Sequence, residues 1–432
     1  MRYSVLLLCI VMFFLSSCSM DRAEDGNVDR EQEKVINLSM IYAGGEPTTK
    51  NAISNVVAGF MEENPNIFIN EYTSGSENYL DYIRTKDAVG EFPDIIEMRD
   101  TELFAKAGML TELPPEITKK FESVAEIDGK VYTAPLTGQG ILGVFYNKAL
   151  FERAGIKEIP RTYEEFLEVC EELKNNGSVP LVVGARDSWH LGFLINNFII
   201  NYVFSEEPDW LVERREGNVR WTDKEPKKAM EEMLKIFNNN YINQDYKSTQ
   251  DYQTATIFAN EGAAMLFSGP WKINHIRKEN PELELGWFPL PYQQGELSIT
   301  GGVTQEGWAI SSETSKDDEK YNAAKKFIEY FFAEENYSTF LSNVYGMPSI
   351  SEELIYEKDE IANEMLSTYY DPNVEKALMI NQYWGDKRVP TEFRDFFYRI
   401  MSKVIEGDVS LDEALKDVDE KWDERQLADG NG

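Results

Sequence analysis

The sequence predicts an α/β protein built as two lobes, and three observations lead there. Its 432 residues exceed what one hydrophobic core fills, since cores stop growing near roughly 250–300 residues. Apolar residues make up 42% and aromatics 12%, ample for two cores. Short apolar or alternating runs interleave with amphipathic helical patterns, the order expected of layers on a largely parallel sheet.

At the N-terminus, Arg2 precedes an unbroken apolar run of eleven residues, Val5 to Leu15. A helix spanning the hydrocarbon core needs about 20 residues, so this run reads as a secretory signal rather than a span. Leu15-Ser16-Ser17-Cys18 follows it and resembles the lipobox of bacterial lipoproteins. That resemblance implies cleavage after residue 17 and acylation of Cys18. It places the protein on the outer face of the cell membrane, on a Gram-positive surface or on the periplasmic side of a Gram-negative one. Several acyl chains anchor stably, each buried CH₂ contributing about 0.8 kcal/mol. Residues 19–34 are polar and aperiodic, which makes 18–34 a flexible tether.

The folded part opens with a strand over Val35–Tyr42 that ends in Ala43-Gly44-Gly45-Glu46-Pro47. A helix follows with Ile53, Val56, Val57, Phe60 and Met61 on one face. Next come a strand over Ile67–Tyr72, a helix around Leu80 and Ile83, and a strand over Asp94–Met98. Ligands on such sheets sit beyond the carboxyl ends of the strands, here Tyr42–Glu46 and Met98–Thr101. Asp128-Gly129-Lys130 forms a turn, and a strand over Leu142–Tyr146 opens a second α/β unit. Thr162 with Glu165 suggests a capping box for a helix over 163–174. Val179–Val183 reads as a buried strand, helices follow near 191–204 and 223–239, and Pro270 suits the first position of another. Beyond about 317 the pattern is mostly helical.

Composition excludes several classes. A formal charge of −33 argues against nucleic acid and anionic polymers as partners. Of three cysteines, Cys9 and Cys18 lie near the N-terminus and Cys170 sits on an apolar helix face, so no disulfide framework is expected. Two histidines, His190 and His275, are too few for a His-rich metal site, and no P-loop, G-x-S-x-G or Cys/His arrangement occurs. Neither a cofactor nor a metal nor a catalytic residue is expected.

The stretch Phe258–Ile276, FANEGAAMLFSGPWKINHI, resembles the corresponding region of bacterial extracellular solute-binding proteins of family 1, the maltose-binding-protein-like group serving ABC importers. Phe92–Ile96, Gly129–Gly155, Gly301–Ser315 and Gly407–Leu415 resemble that family's segments in the same order. The resemblance implies a two-lobed periplasmic-binding-protein-like fold of class II type, each lobe a mixed, mostly parallel sheet flanked by helices. It implies crossings at Leu136–Gly140, near Leu285–Pro289 and near 330–335. On that basis the first lobe comprises 35–138 and 286–333, and the second 139–285 and 334–432. A small solute, delivered by a monomeric protein to membrane permease subunits, would lie in the cleft.

Sugars present C–H faces that stack on aromatic rings and hydroxyls that bond best to charged or bidentate partners. Trp271 and Trp189 match the family's aromatic plates, and His190 is a candidate hydroxyl donor. Glu46 and Asp100, just past two strand ends, are candidate acceptors. Tyr42, Gln139 and Trp308 are lesser candidates, with core packing the stronger reading for Trp308. The double tryptophan points to a sugar, an oligosaccharide. The same fold also accommodates a phosphodiester, with Arg99 and Arg186 as donors, or a polyamine held by carboxylates. A secreted glycosidase would need two carboxylates roughly 5–9.5 Å apart, which no motif here supplies.

Overall fold

Alternation sets the first sheet. Strand β1 (Ile36–Tyr42) turns Leu38, Met40 and Tyr42 toward one core. It pairs in parallel register with β2 (Ile67–Thr73) and β3 (Ile95–Met98) on either side. The computed structural model describes residues 34–430 except 76, 139, 293–296, 353 and 391. The expected signal, Cys18, most of the tether and Gln139 therefore lie outside the described residues.

The remaining strands are β4 (Gly143–Asn147), β5 (Leu181–Val182), β6 (Met265–Ser268), β7 (Leu285–Phe288), β8 (Ser298–Thr300), β9 (Gly307–Ile310) and β10 (Glu375–Ala377). The first sheet runs β2-β1-β3-β9, with β9 antiparallel to β3. The second runs β5-β6-β4-β7, where β5 and β6 are parallel and β4 is antiparallel to both neighbours. The first sheet is thus mostly parallel as expected, and the second is mixed. β8 and β10 form a small parallel pair.

Each sheet is covered on both faces, as layered α/β structures require. One face of the first buries Ile53, Val57 and Phe60 from the helix Pro47–Glu63, with Trp308, Phe327 and Phe331. Leu80, Ile83, Ile96 and Met98 fill the other. The second sheet packs Val144 against Phe166, Cys170 and Phe198, and its reverse face buries Phe145, Phe258, Ile276 and Trp287. Cys170 is free and fully buried, and burial pushes its thiol up. No helix among the described residues is long and apolar enough to cross a membrane.

Local expectations on the second lobe hold with small shifts. The helix Tyr163–Asn175 is capped by Thr162 Oγ1, which accepts from Glu165 N at 3.2 Å, while the Glu165 carboxylate takes Arg161 N. Pro270 opens a single 3₁₀ turn, Pro270–Lys272, that runs into the helix Ile273–Glu279.

Two of the expected crossings fall elsewhere. β7 pairs with β4, so 285–288 belongs to the second sheet and not to the first lobe. The second crossing is the segment from Thr300 to Gly307, beside the first one. Ala134 and Trp308 exchange backbone hydrogen bonds, and Thr300 Oγ1 both accepts from Leu142 N and donates to Gly140 O. The helix Glu334–Val344 buries Tyr337, Phe340 and Leu341 in the first-lobe core, so the chain does not leave at 330–335. It changes lobes after Tyr356, because the helix Glu360–Tyr369 buries Ile361 and Met365 with β7 of the second. The aromatic side chains of 337–344 decide this boundary.

Candidate functional site

Between the sheets lies a cavity of about 590 Å³, within the roughly 300–1,000 Å³ of small-molecule sites. Its floor is made by the crossings, Thr137, Gly138, Gly140, Thr304 and Glu306. First-lobe loops past β1 and β3 supply one wall, and the starts of second-lobe helices supply the other. This is the carboxyl-end placement that the strand order predicts.

The first-lobe wall is polar. After β1 the chain turns at Gly44, whose φ of +62° and whose approach to Thr73 (2.6 Å for an added Cβ) both demand glycine. Ala43 N donates to Glu97 Oε2 at 2.9 Å, and Glu97 Oε1 accepts from Arg99 at 2.6 and 3.0 Å. The Arg99 guanidinium lies 5.2 Å from the Tyr79 ring centroid. Glu97, Arg99 and Tyr79 are thereby held by one another. Asp100 lines the cavity, and its carboxylate makes no hydrogen bond among the described residues, although its charge is the leading one that offsets burial of the Arg394 guanidinium. Glu306 has one partner there, Gln382 Nε2 at 3.4 Å. Burial pushes the Glu306 carboxyl up, against the lowering charge of Arg99, with Glu97 and Asp100 adding to the rise.

The second-lobe wall is aromatic. Trp189, 44% exposed, sits at the start of the helix Ser188–Ile199, one turn before Phe193 on the same face. Their ring centroids are 5.4 Å apart, and Phe193 is 5.7 Å from Trp271. Trp271 occupies the 3₁₀ turn after β6, half-buried, with Gly140 beside its ring. A Cβ at Gly269 would collide with the indole, so the glycine is what lets Trp271 lie back along its own turn. Three rings thus form a contiguous aromatic cluster rather than a flat plate, Phe193 being inclined 71° to Trp189 and 54° to Trp271 and itself mostly buried between them. The helix Phe393–Glu406 closes the far end with Arg394, Asp395 and Tyr398.

Of the residues expected from sequence, Trp271, Trp189, Asp100 and Glu46 line this cavity. Glu46 is not a free acceptor, because Lys272 Nζ holds its Oε2 at 2.8 Å. Tyr42 does not reach the cavity. It is fully buried, donating to Glu71 Oε2 at 2.6 Å and standing edge-on to Trp308. Trp308 is buried against Phe327 and Phe331 as core. His190 is buried behind the wall with Nδ1 2.7 Å from Asp251 Oδ1, so it supports the cluster rather than facing a ligand. Sequence reasoning missed Phe193, Glu306, Arg394, Asp395 and Tyr398. The i, i+4 spacing from Trp189 signalled Phe193. Arg394 and Asp395 sit beside Phe393 at the start of a helix whose aromatics read as core.

Residues 45–338 match the bacterial extracellular solute-binding protein family. The chain is 23% identical to the multiple sugar-binding protein of Streptococcus mutans over 327 residues, 73% of this chain and 74% of that one. It is 21% identical over 375 residues to a putative ABC transporter periplasmic-binding protein of Escherichia coli, covering 83% and 81%. Among solved structures, a chitin oligosaccharide binding protein superposes with a TM-score of 0.80 at 22% identity, covering 91% of this chain and 99% of that one. A Bacillus licheniformis sugar transporter in complex with stachyose superposes at 0.75 and 18% identity, covering 90% and 99%. With that match across both lobes, the chain belongs to the bacterial extracellular solute-binding proteins.

Proposed function

We propose that this protein captures a soluble oligosaccharide between its lobes and delivers it to the membrane permease of an ABC importer, held at the outer membrane face through acylated Cys18. The observation that carries the reading is the Trp189–Phe193–Trp271 cluster in a cavity whose other side offers Asp100, which makes no hydrogen bond among the described residues, and Glu306, which has one long bond to Gln382. Sugar C–H faces lie on the rings, and hydroxyls donate to the carboxylates or accept from Arg394 and Asn381. Contacts made to both lobes at once favour the closed form, and exclusion of water strengthens them. The structures of raffinose- and stachyose-bound proteins of the same fold support an oligosaccharide of that size.

The test is a thermal-shift panel of raffinose, stachyose, chitin oligosaccharides, spermidine and a glycerophosphodiester. A ligand at about 100 times its Kd adds roughly 2.7 kcal/mol of stability. A shift by a neutral oligosaccharide supports the reading, and a shift by the charged compounds alone overturns it. A raised carboxyl near a second carboxylate also suits glycoside hydrolysis. Recovery of the panel sugars uncleaved separates capture from that chemistry. Release of labelled lipid from the protein, lost in Cys18→Ala, tests the anchor.

A further inference from the structure

Behind the aromatic cluster runs a buried chain of charges that the sugar reading leaves unexplained. Lys272 is fully buried, and its ammonium spends all three donors: on Asp251 Oδ2 at 2.7 Å, Asp251 O at 3.1 Å and Glu46 Oε2 at 2.8 Å. Asp251 Oδ1 in turn meets His190 Nδ1 at 2.7 Å. Glu46 Oε1 stands 3.4 Å from His275 Nδ1. His190, Asp251, Lys272 and His275 all belong to the second lobe, whereas Glu46 is on the first-lobe loop after β1.

Two features give this chain a role in binding. Its members adjoin the aromatic cluster in sequence, His190 following Trp189 and Lys272 following Trp271, so Asp251 links the side chains of the residues next to both tryptophans. The second lobe satisfies only two donors of Lys272, and the third reaches across the cleft. An unpartnered ammonium donor in a buried site is costly, while one open to water is not. Of the other polar contacts between the lobes, Asn78–Asp395 and Arg84–Glu392 are exposed and of the kind that contributes little. Gly385 N donates to the buried Glu102 Oε2 at 3.2 Å and Trp384 Nε1 to Glu126 O at 3.1 Å, away from the aromatic cluster. Asn274 also donates to the carbonyls of Ser342 and Asn343 at a helix end.

We propose that Lys272 is the positioning residue of the cleft, seating Trp189 and Trp271 through Asp251 and latching the lobes together through Glu46. The proposal rests on the reading of the cavity as a closing ligand cleft, and it adds that closure is favoured before any ligand arrives. Glu46 leaves its second-lobe partner when the lobes part, and the Lys272 ammonium keeps only its two Asp251 acceptors. Ligand affinity then depends on a residue whose carboxylate is spent on the protein.

The experiment needs no ligand. Small-angle scattering and acrylamide quenching of tryptophan fluorescence are compared for the wild type, Glu46→Ala and Glu46→Gln. Glu46 makes no side-chain cap to its helix, so neither change removes a helix cap. Losing a charged hydrogen bond shifts the closure equilibrium toward the open form by at least about tenfold. The expected result is a larger radius of gyration and stronger quenching in Glu46→Ala, with Glu46→Gln nearer the wild type because its amide oxygen still accepts. Identical scattering and quenching in wild type and Glu46→Ala overturn the latch, as does a wild type already open without ligand. Sugar binding is read separately in the ligand panel, so failure of one reading is distinguishable from failure of the other.

Discussion

Replacing Trp271 by Ala removes the centre of the cleft's aromatic surface. An aromatic side chain buries roughly 150–250 Å² in all, of which one face, about 70 Å², is left for a ligand on this half-buried ring. At about 25 cal/mol per Å² that face contributes about 1.8 kcal/mol, or about a 20-fold change in Kd. Titration calorimetry with the panel sugar giving the largest thermal shift reads the effect, with Trp271→Phe as the control that keeps a ring. Ligand-free melting should fall only modestly, because the ring is half-buried and Phe193 retains Trp189 as a neighbour. A Trp271→Ala protein that binds within twofold of the wild type refutes the stacking argument.

Asp100→Ala breaks no hydrogen bond among the described residues but removes the leading charge that offsets burial of Arg394, so stability should fall modestly while affinity falls about tenfold or more, as for a lost charged hydrogen bond. Gly269→Ala keeps an ordinary backbone (φ −105°) but forces the Trp271 ring to move, and calorimetry should find a loss approaching that of Trp271→Ala. Burial alone would raise the Asp251 carboxyl, but the Lys272 charge and the His190 hydrogen bond overcome it and hold the pKa near about 2, against 3.8. The unfolded chain therefore takes up this proton first as pH falls. The contribution, about 2 kcal/mol, is whole above pH 4 and is lost between about 4 and 2. Urea unfolding from pH 6 to pH 2.5 should display that loss, and Asp251→Asn should flatten it.

Much of the fold was legible because its signals are local and periodic. The strands ending at Tyr42 and Met98 and the helix carrying Ile53, Val57 and Phe60 alternate or recur at the spacing their burial requires. The crossings were harder to read, because a chain crosses between lobes where pairing and packing partners change, not where its own pattern changes. β7 looks equally apt for either sheet until β4 is seen beside it. The same limit governs the site. Trp189 and Trp271 are visible at strand-to-helix turns, but the fate of Glu46 depends on Lys272, 226 residues away. Tyr42 sat at the right strand end, yet its ring faces the core because side chains alternate across a strand and residue 42 shares the inward face with Leu38 and Met40. Phe193 lies one helical turn from Trp189, but the same spacing serves a core side chain, so its pattern alone does not mark it.

A cleft that holds a neutral oligosaccharide and releases it unchanged is examined most directly by calorimetry of the wild type with stachyose, raffinose and chitin oligosaccharides, followed by chromatography of the recovered ligand. Saturable one-to-one binding of at least one of these sugars, recovered intact, is expected, with a negative heat-capacity change from the covered aromatic rings. No binding by any of them, together with saturable binding of spermidine or a glycerophosphodiester, would contradict it.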